Sequence, residues 1–214
     1  PNSRFLASLA QAREPYIYRP AHYLKQFHAK SWSPANTLFV LDEHLLDPRR
    51  SSPNRIVYLL QALHDLRATL RTLGTDLVVR HGDPVAEAAR LAQASAADRV
   101  FTSKDVSPYA RRREAALGRA LAGERIELTL HPGVTVVPPD QPRTTTGTHY
   151  SRFTPFAQRW SVAPRRPLLA PPTRIRGLTG LEPGVIPSPS SLSTGPVSPG
   201  LPTGGEGAAQ QRLR

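Results

Sequence analysis

Cysteine is absent from all 214 residues, which excludes disulfides and thiolate metal sites and fits a reducing cytoplasm, the expected setting, without requiring one. Methionine is absent too, even at position 1, where the chain opens Pro1-Asn2; processing or an incomplete gene model would each give such a start. No apolar run approaches the roughly 18 residues needed to cross a bilayer, and no secretory pattern opens the chain. Acidic residues are scarce, 16 against 28 lysines and arginines, for a formal net charge of +12. That balance favours a polyanionic partner electrostatically. A high-arginine genomic background accounts for it equally well, because arginines also crowd segments with no core pattern. The phosphate-loop consensus, the glycine-rich dinucleotide fingerprint and the nucleophile elbow are all missing. His44, Asp83 and Asp105 have no spacing that would make them converge, so no metal site is expected.

What is present is organised around Leu77-Val-Val-Arg-His-Gly-Asp-Pro84. Four residues suited to a buried strand run into a glycine that permits a tight exit, an aspartate that can cap a helix and a proline suited to its first turn. The alternation repeats on both sides. Thr37 to Leu41 is a short apolar strand, and Asp47 to Asn54 a loop. Ile56, Leu59, Leu60, Leu63, Leu66, Leu70 and Leu73 recur at helical spacing over about 54–73, with Gly74 placed to end the helix in the left-handed conformation. A strand at 76–80, a helix at 84–95, a strand at 99–102, a helix from Ser107-Pro108 to about Ala122 stopped by Gly123, and an edge-proximal strand at 126–130 follow. A short extended piece is possible at 134–137. The expected fold class is α/β, a Rossmann-like doubly wound, mostly parallel sheet followed by a Pro-rich C-terminal linker.

The expected divisions are an atypical extension at 1–36, the α/β domain at 37–137, a linker at 138–203 and the start of a helical region at 204–214. The extension mixes Tyr16, Tyr18, Tyr23, Phe27 and Trp32 with basic residues, suited to base stacking or to local packing. Within the linker, Phe153, Phe156 and Trp160 share the spacing of one helix face. Anchoring to the sheet domain is the favoured reading for Tyr150 to Trp160, and stacking on bases is the alternative.

Ligands of open parallel sheets bind beyond the carboxyl ends of strands. Three such ends are visible: Asp42-Glu43-His44, Arg80-His81-Gly82-Asp83 and Ser103-Lys104-Asp105. They suit a small planar or anionic ligand. Asp83 reads first as a helix cap. Arg111, Arg112 and Arg113 fan out around the start of a helix, where a carboxylate or an anionic ligand would offset their unfavourable interaction with the helix dipole.

The order of these segments is similar to that of the antenna domain of the DNA photolyase and cryptochrome family, bacterial deoxyribodipyrimidine photolyases in particular. The resemblance rests on Phe39-Val-Leu-Asp42 with Leu45-Leu46, Leu77 to Pro84, Ser107-Pro-Tyr-Ala-Arg-Arg-Arg113, Tyr150-Ser-Arg-Phe-Thr-Pro-Phe156 with Trp160, and Pro202-Thr-Gly-Gly-Glu206. It implies an accessory chromophore, a reduced folate, a deazaflavin or another flavin, held by Asp42, Lys104, Asp105, Tyr109 and Arg112. Arg80 and Asp83 would steady the neighbouring loop. It further implies that a full-length relative carries FAD in a helical domain and splits cyclobutane pyrimidine dimers in DNA by light-driven electron transfer. No residue of this chain matches the family's FAD or dimer motifs, so no catalytic residue is assigned and the fragment is expected to be inactive alone. A non-catalytic cryptochrome-like chromophore-binding or signalling module, or a non-functional gene fragment, are the alternatives. The family's opening strand and Arg-x-Asp-Leu-Arg motif are not found in residues 1–36, so a central strand is expected to be missing or replaced.

Overall fold

Pro84 and Pro108 each begin a helix, and in both cases the residue before the proline closes the cap. Asp83 accepts from the Ala86 amide at 2.8 Å, and the Ser107 hydroxyl accepts from the Ala110 amide at 3.3 Å. These local signals set the element order of the computed structural model, which describes residues 35–49, 51–132, 135–138, 141–165 and 172–214. The expectations for the aromatic and basic residues of 1–34 lie outside the described residues.

Strand β1 (Thr37–Asp42) leads into a one-turn helix α1 (Glu43–Leu46), and the long helix α2 (Pro53–Thr72) follows. Then come β2 (Leu77–Gly82), α3 (Pro84–Ala94), β3 (Arg99–Lys104), α4 (Pro108–Gly123) and β4 (Glu127–Pro132). Three more helices complete the described residues: α5 (Phe153–Val162), α6 (Pro189–Leu192) and α7 (Glu206–Arg212).

The result is an α/β fold with two small open parallel sheets, consistent with a Rossmann-like arrangement. It differs from the single doubly wound sheet expected. β1 pairs with β2, and β3 pairs in parallel with β4 in the register Arg99 to Glu127 through Lys104 to Pro132. A continuous sheet needs ladder bonds joining the pairs, and none does so among the described residues.

The chain divides into two compact units. The first contains the described residues of 35–39, 44–79 and 172–214. Ile56, Leu60, Leu63 and Leu70 form the buried stripe of α2, with Leu77, Val78 and Val79 buried on β2. Ile175 and Ile186, from the proline-rich stretch, are buried in the same unit. That stretch builds no separate core. It is nonetheless held, because the Ile175 amide donates to Leu73 O at 2.7 Å and the Val79 amide to Pro183 O at 2.7 Å. Gly74 takes φ +92°, the left-handed end expected for α2.

The second unit contains the described residues of 40–43 and 80–165. Ala92 of α3, Leu117 and Leu121 of α4 and Ile126 form its core, flanked by Val85, Ala88, Ala89, Val100 and Leu128. Small residues on α3 allow close approach to α4. Burying a leucine such as the fully covered Leu121 contributes about 2 kcal/mol. Helix α4 ends at Gly123, where the sequence places its stop. Arg125, beyond it, takes a positive φ of 59°. The stretch 135–138 adds no strand, although Val137 is buried.

Candidate functional site

Asp42 closes β1 and is 6% exposed, a buried carboxylate at the carboxyl end of a parallel strand. Such a group demands a donor, and the Tyr109 hydroxyl supplies one, donating to Asp42 Oδ2. Tyr109 is the second residue of α4, so the Ser107-Pro108 helix start brings the phenol to the strand end. Burial first, and then the Asp42 carboxylate, hold the Tyr109 hydroxyl above its usual pKa of 10.0. It therefore stays protonated and remains a donor through the physiological range. The Arg113 guanidinium lies over the Tyr109 ring, 5.7 Å from its centroid. Within the same unit, the structure joins Asp42 to Tyr109 and adds Arg113.

The other residues expected at the site occupy different settings. Lys104 is exposed at the end of β3, and Arg112 is exposed on α4. Asp105 organises the loop before α4. Its carboxylate accepts from the Ser107 amide at 2.9 Å, while its own amide donates to Glu114 Oε1 at 2.8 Å. The Ser107 amide is the leading cause of a lowered Asp105 pKa. The carboxylate thus keeps its charge below the usual range, and its hold on the loop is present above that range and lost as pH falls through the depressed value. Asp83 caps α3, as read from sequence. His81 Nδ1 stands 3.5 Å from Glu43 Oε1, both well exposed, so protonation of the imidazole would make an ion pair.

The sequence marks Arg111, Arg112 and Arg113 as a cluster and assigns the ligand contact to Arg112, whereas the ring of Tyr109 is covered by Arg113. The signal was available, because Arg113 follows Tyr109 by four residues and such pairs share one face of a helix. Sequence reasoning missed the end of β4, where the His131 ring stacks on Phe101 with centroids 5.6 Å apart and planes 7° from parallel. Burial lowers the His131 pKa, and its Nε2 has no hydrogen-bond partner among the described residues. Among the described residues, no group of three or more histidines and carboxylates is arranged to hold a metal ion. No described helix is long and apolar enough to cross a membrane.

The segment expected to anchor itself to the sheet domain does form a helix, α5, but buries none of its residues. Phe153 is 72% and Phe156 36% exposed. The helical spacing was read correctly, and of the three aromatics on that face Trp160 is half-buried. The aromatic contacts are local, Tyr150 edge-on to Phe156 and Arg165 over Trp160 at 4.8 Å.

The sequence model of the family described as DNA photolyase matches residues 24–173. A deoxyribodipyrimidine photo-lyase of Streptomyces griseus is 34% identical over 176 residues, covering 81% of this chain and 38% of that protein. A cryptochrome DASH of Natronomonas pharaonis is 35% identical, covering 68% of this chain and 31% of its own length. Among solved structures, a Synechocystis cryptochrome superposes with a TM-score of 0.78 at 20% identity, over 90% of this chain and 42% of its own. A class III photolyase from Agrobacterium tumefaciens gives 0.71 at 19% identity, over 85% and 38%. The chain thus spans well under half the length of these relatives.

Proposed function

The chain belongs to the DNA photolyase family, and from that premise we propose that it is a non-catalytic, cryptochrome-like chromophore-binding module whose ligand sits at the carboxyl end of β1 against the start of α4. One observation carries the reading: a buried carboxylate, Asp42, held by a protonated Tyr109 whose ring is covered by Arg113. Asp42 suits the ring N–H groups of a pterin or flavin, since a carboxylate oxygen accepts from such donors. Lys104, exposed at the end of β3, and Arg112, exposed on α4, suit an anionic tail, which folates carry as carboxylates and flavin nucleotides as phosphates. When bound, such a group absorbs light and passes on its excitation. The residues bind and orient it: Tyr109 fixes the Asp42 carboxylate, Arg113 keeps the phenol ring in place, and Asp105 holds the loop that starts α4.

The test is the absorption and fluorescence spectrum of gently purified protein, followed by mass analysis of whatever denaturation releases. A stoichiometric folate or flavin pigment is the expected result, and Asp42→Ala should lower its occupancy at least tenfold. A protein that stays colourless after incubation with reduced folate, deazaflavin and FAD in turn would sink the proposal.

A second reading is supported by the names of the relatives, several of which are deoxyribodipyrimidine photo-lyases. In it, this chain is the antenna part of an enzyme that splits cyclobutane pyrimidine dimers in DNA by light, with FAD and the lesion held by a helical domain. Dimer-containing DNA illuminated with the purified chain and added FAD should show no repair. Repair under those conditions would place the catalytic machinery within these 214 residues and overturn the non-catalytic reading.

A further inference from the structure

Helix α2 buries one face and offers a polar row on another. Asn54, Gln61 and Asp65 follow one another at intervals of seven and four residues, the repeat of a single helix face. Each accepts a backbone N–H from the end of the chain. Asn54 Oδ1 accepts from Ser198 at 2.8 Å, Gln61 Oε1 from Gly204 at 2.8 Å, and Asp65 Oδ2 from Glu206 at 2.8 Å and Gly207 at 3.2 Å. The ribbon runs in the same direction as α2. Eleven helical residues rise roughly 16 Å, and the ribbon covers that distance in eight residues because a turn from Ser198 to Leu201 shortens it.

The ribbon's glycines are required by closeness. A Cβ at Gly204 would collide with the Tyr58 carbonyl oxygen, and one at Gly205 would stand 2.8 Å from the Asp65 Cβ. Gly205 also holds φ +116°, a conformation that side chains oppose. A Cβ at Gly195 would press on Pro53, at the first turn of α2.

We propose that the polar row of α2 is a docking surface for the ribbon 198–207 of its own chain, acting as a ruler that fixes where α7 begins. Asp65 is the positioning residue and Gly204-Gly205 the specificity-determining pair. The acceptors are side chains and the donors backbone, so the surface reads spacing and the absence of Cβ atoms, with little regard to other side chains of the ribbon. It is also a separable latch. Its bonds use Asn54, Gln61 and Asp65, side chains distinct from the buried stripe of Ile56, Leu60, Leu63 and Leu70.

Hydrogen exchange of the purified chain, read by mass spectrometry, tests this without any ligand. In Asp65→Ala, peptides covering 204–210 should exchange at least tenfold faster, while those from 53–72 and 77–82 stay within twofold of the parent. Asp65→Asn keeps an acceptor oxygen and should retain most of the protection. Gly204→Ala should release the whole ribbon, so that 196–203 accelerates as well. Unchanged exchange at 204–210 in Asp65→Ala, or Asp65→Asn as fast as the alanine variant, would overturn the role of Asp65. Equal acceleration in α2 and β2 would overturn the separable latch.

Discussion

Two stretches of the C-terminal half contrast sharply. Residues 141–165 hold two phenylalanines, a tyrosine, a tryptophan and four arginines without one carboxylate, the composition of a segment that should bind something. No residue of its helix is fully buried, and both phenylalanines are exposed. Residues 172–207 are dominated by proline, glycine and serine, the composition of a spacer. Yet they contribute Ile175 and Ile186 to a core and are tied down along their length. A ribbon of small residues can bring its backbone close to a helix, and backbone groups need partners wherever they approach one. Large side chains confer adhesion only where a matching surface exists.

Arg67 is the strongest point of that contrast. Its Nη2 stands 2.7 Å from Leu77 O and 3.0 Å from both Pro183 O and Gly184 O, its two hydrogens shared among the three carbonyls. Its Nε lies 3.3 Å from Asp76 Oδ1, an ion pair without hydrogen-bond alignment. The side chain is only 12% exposed. Arg67→Ala should therefore cost about 3 kcal/mol, since it removes the largely buried donor shared by Leu77 O, Pro183 O and Gly184 O together with the ion pair to Asp76. Urea unfolding measures this, and a loss below about 1 kcal/mol would erase the distinction between pinned and unpinned segments.

Asn36 gives a smaller effect of the same kind. Its Oδ1 accepts from the Leu178 amide at 3.0 Å and the Thr75 hydroxyl at 3.2 Å. Asn36→Ala should lower stability by about 1 kcal/mol, read from the same denaturation midpoint at an unchanged slope. The smallest effect is expected at the most conspicuous residue: Phe153→Ser should stay within about 0.5 kcal/mol, as surface changes do. A drop of several degrees in the melting temperature of that variant would mean that α5 is anchored after all.

Local chemistry was legible in the sequence. Asp83-Pro84 and Ser107-Pro108 announce helix starts because the cap and its amides lie within three residues of each other. The leucines of α2 announce a buried stripe because periodicity needs no knowledge of the partner surface. Asp42 and Tyr109 were named as site residues separately, but their hydrogen bond joins positions 67 residues apart. Nothing local encodes such a pairing. The Arg67 clamp left no trace for a related reason, as its acceptors are backbone carbonyls, which every residue carries. Arg112 and Arg113 differ by one step of about 100° around a helix, and only the position of Tyr109 on the same face separates them.

The bonds of the latch join residues 141 to 144 positions apart, and this has a consequence for biosynthesis. At roughly 5–20 residues per second, a ribosome completes α2 on the order of ten seconds before it delivers the ribbon. Throughout that delay the waiting surface displays Asn54, Gln61 and Asp65 to water, which can satisfy them. An apolar groove left open for as long would invite misassembly with other nascent chains. A polar one can wait.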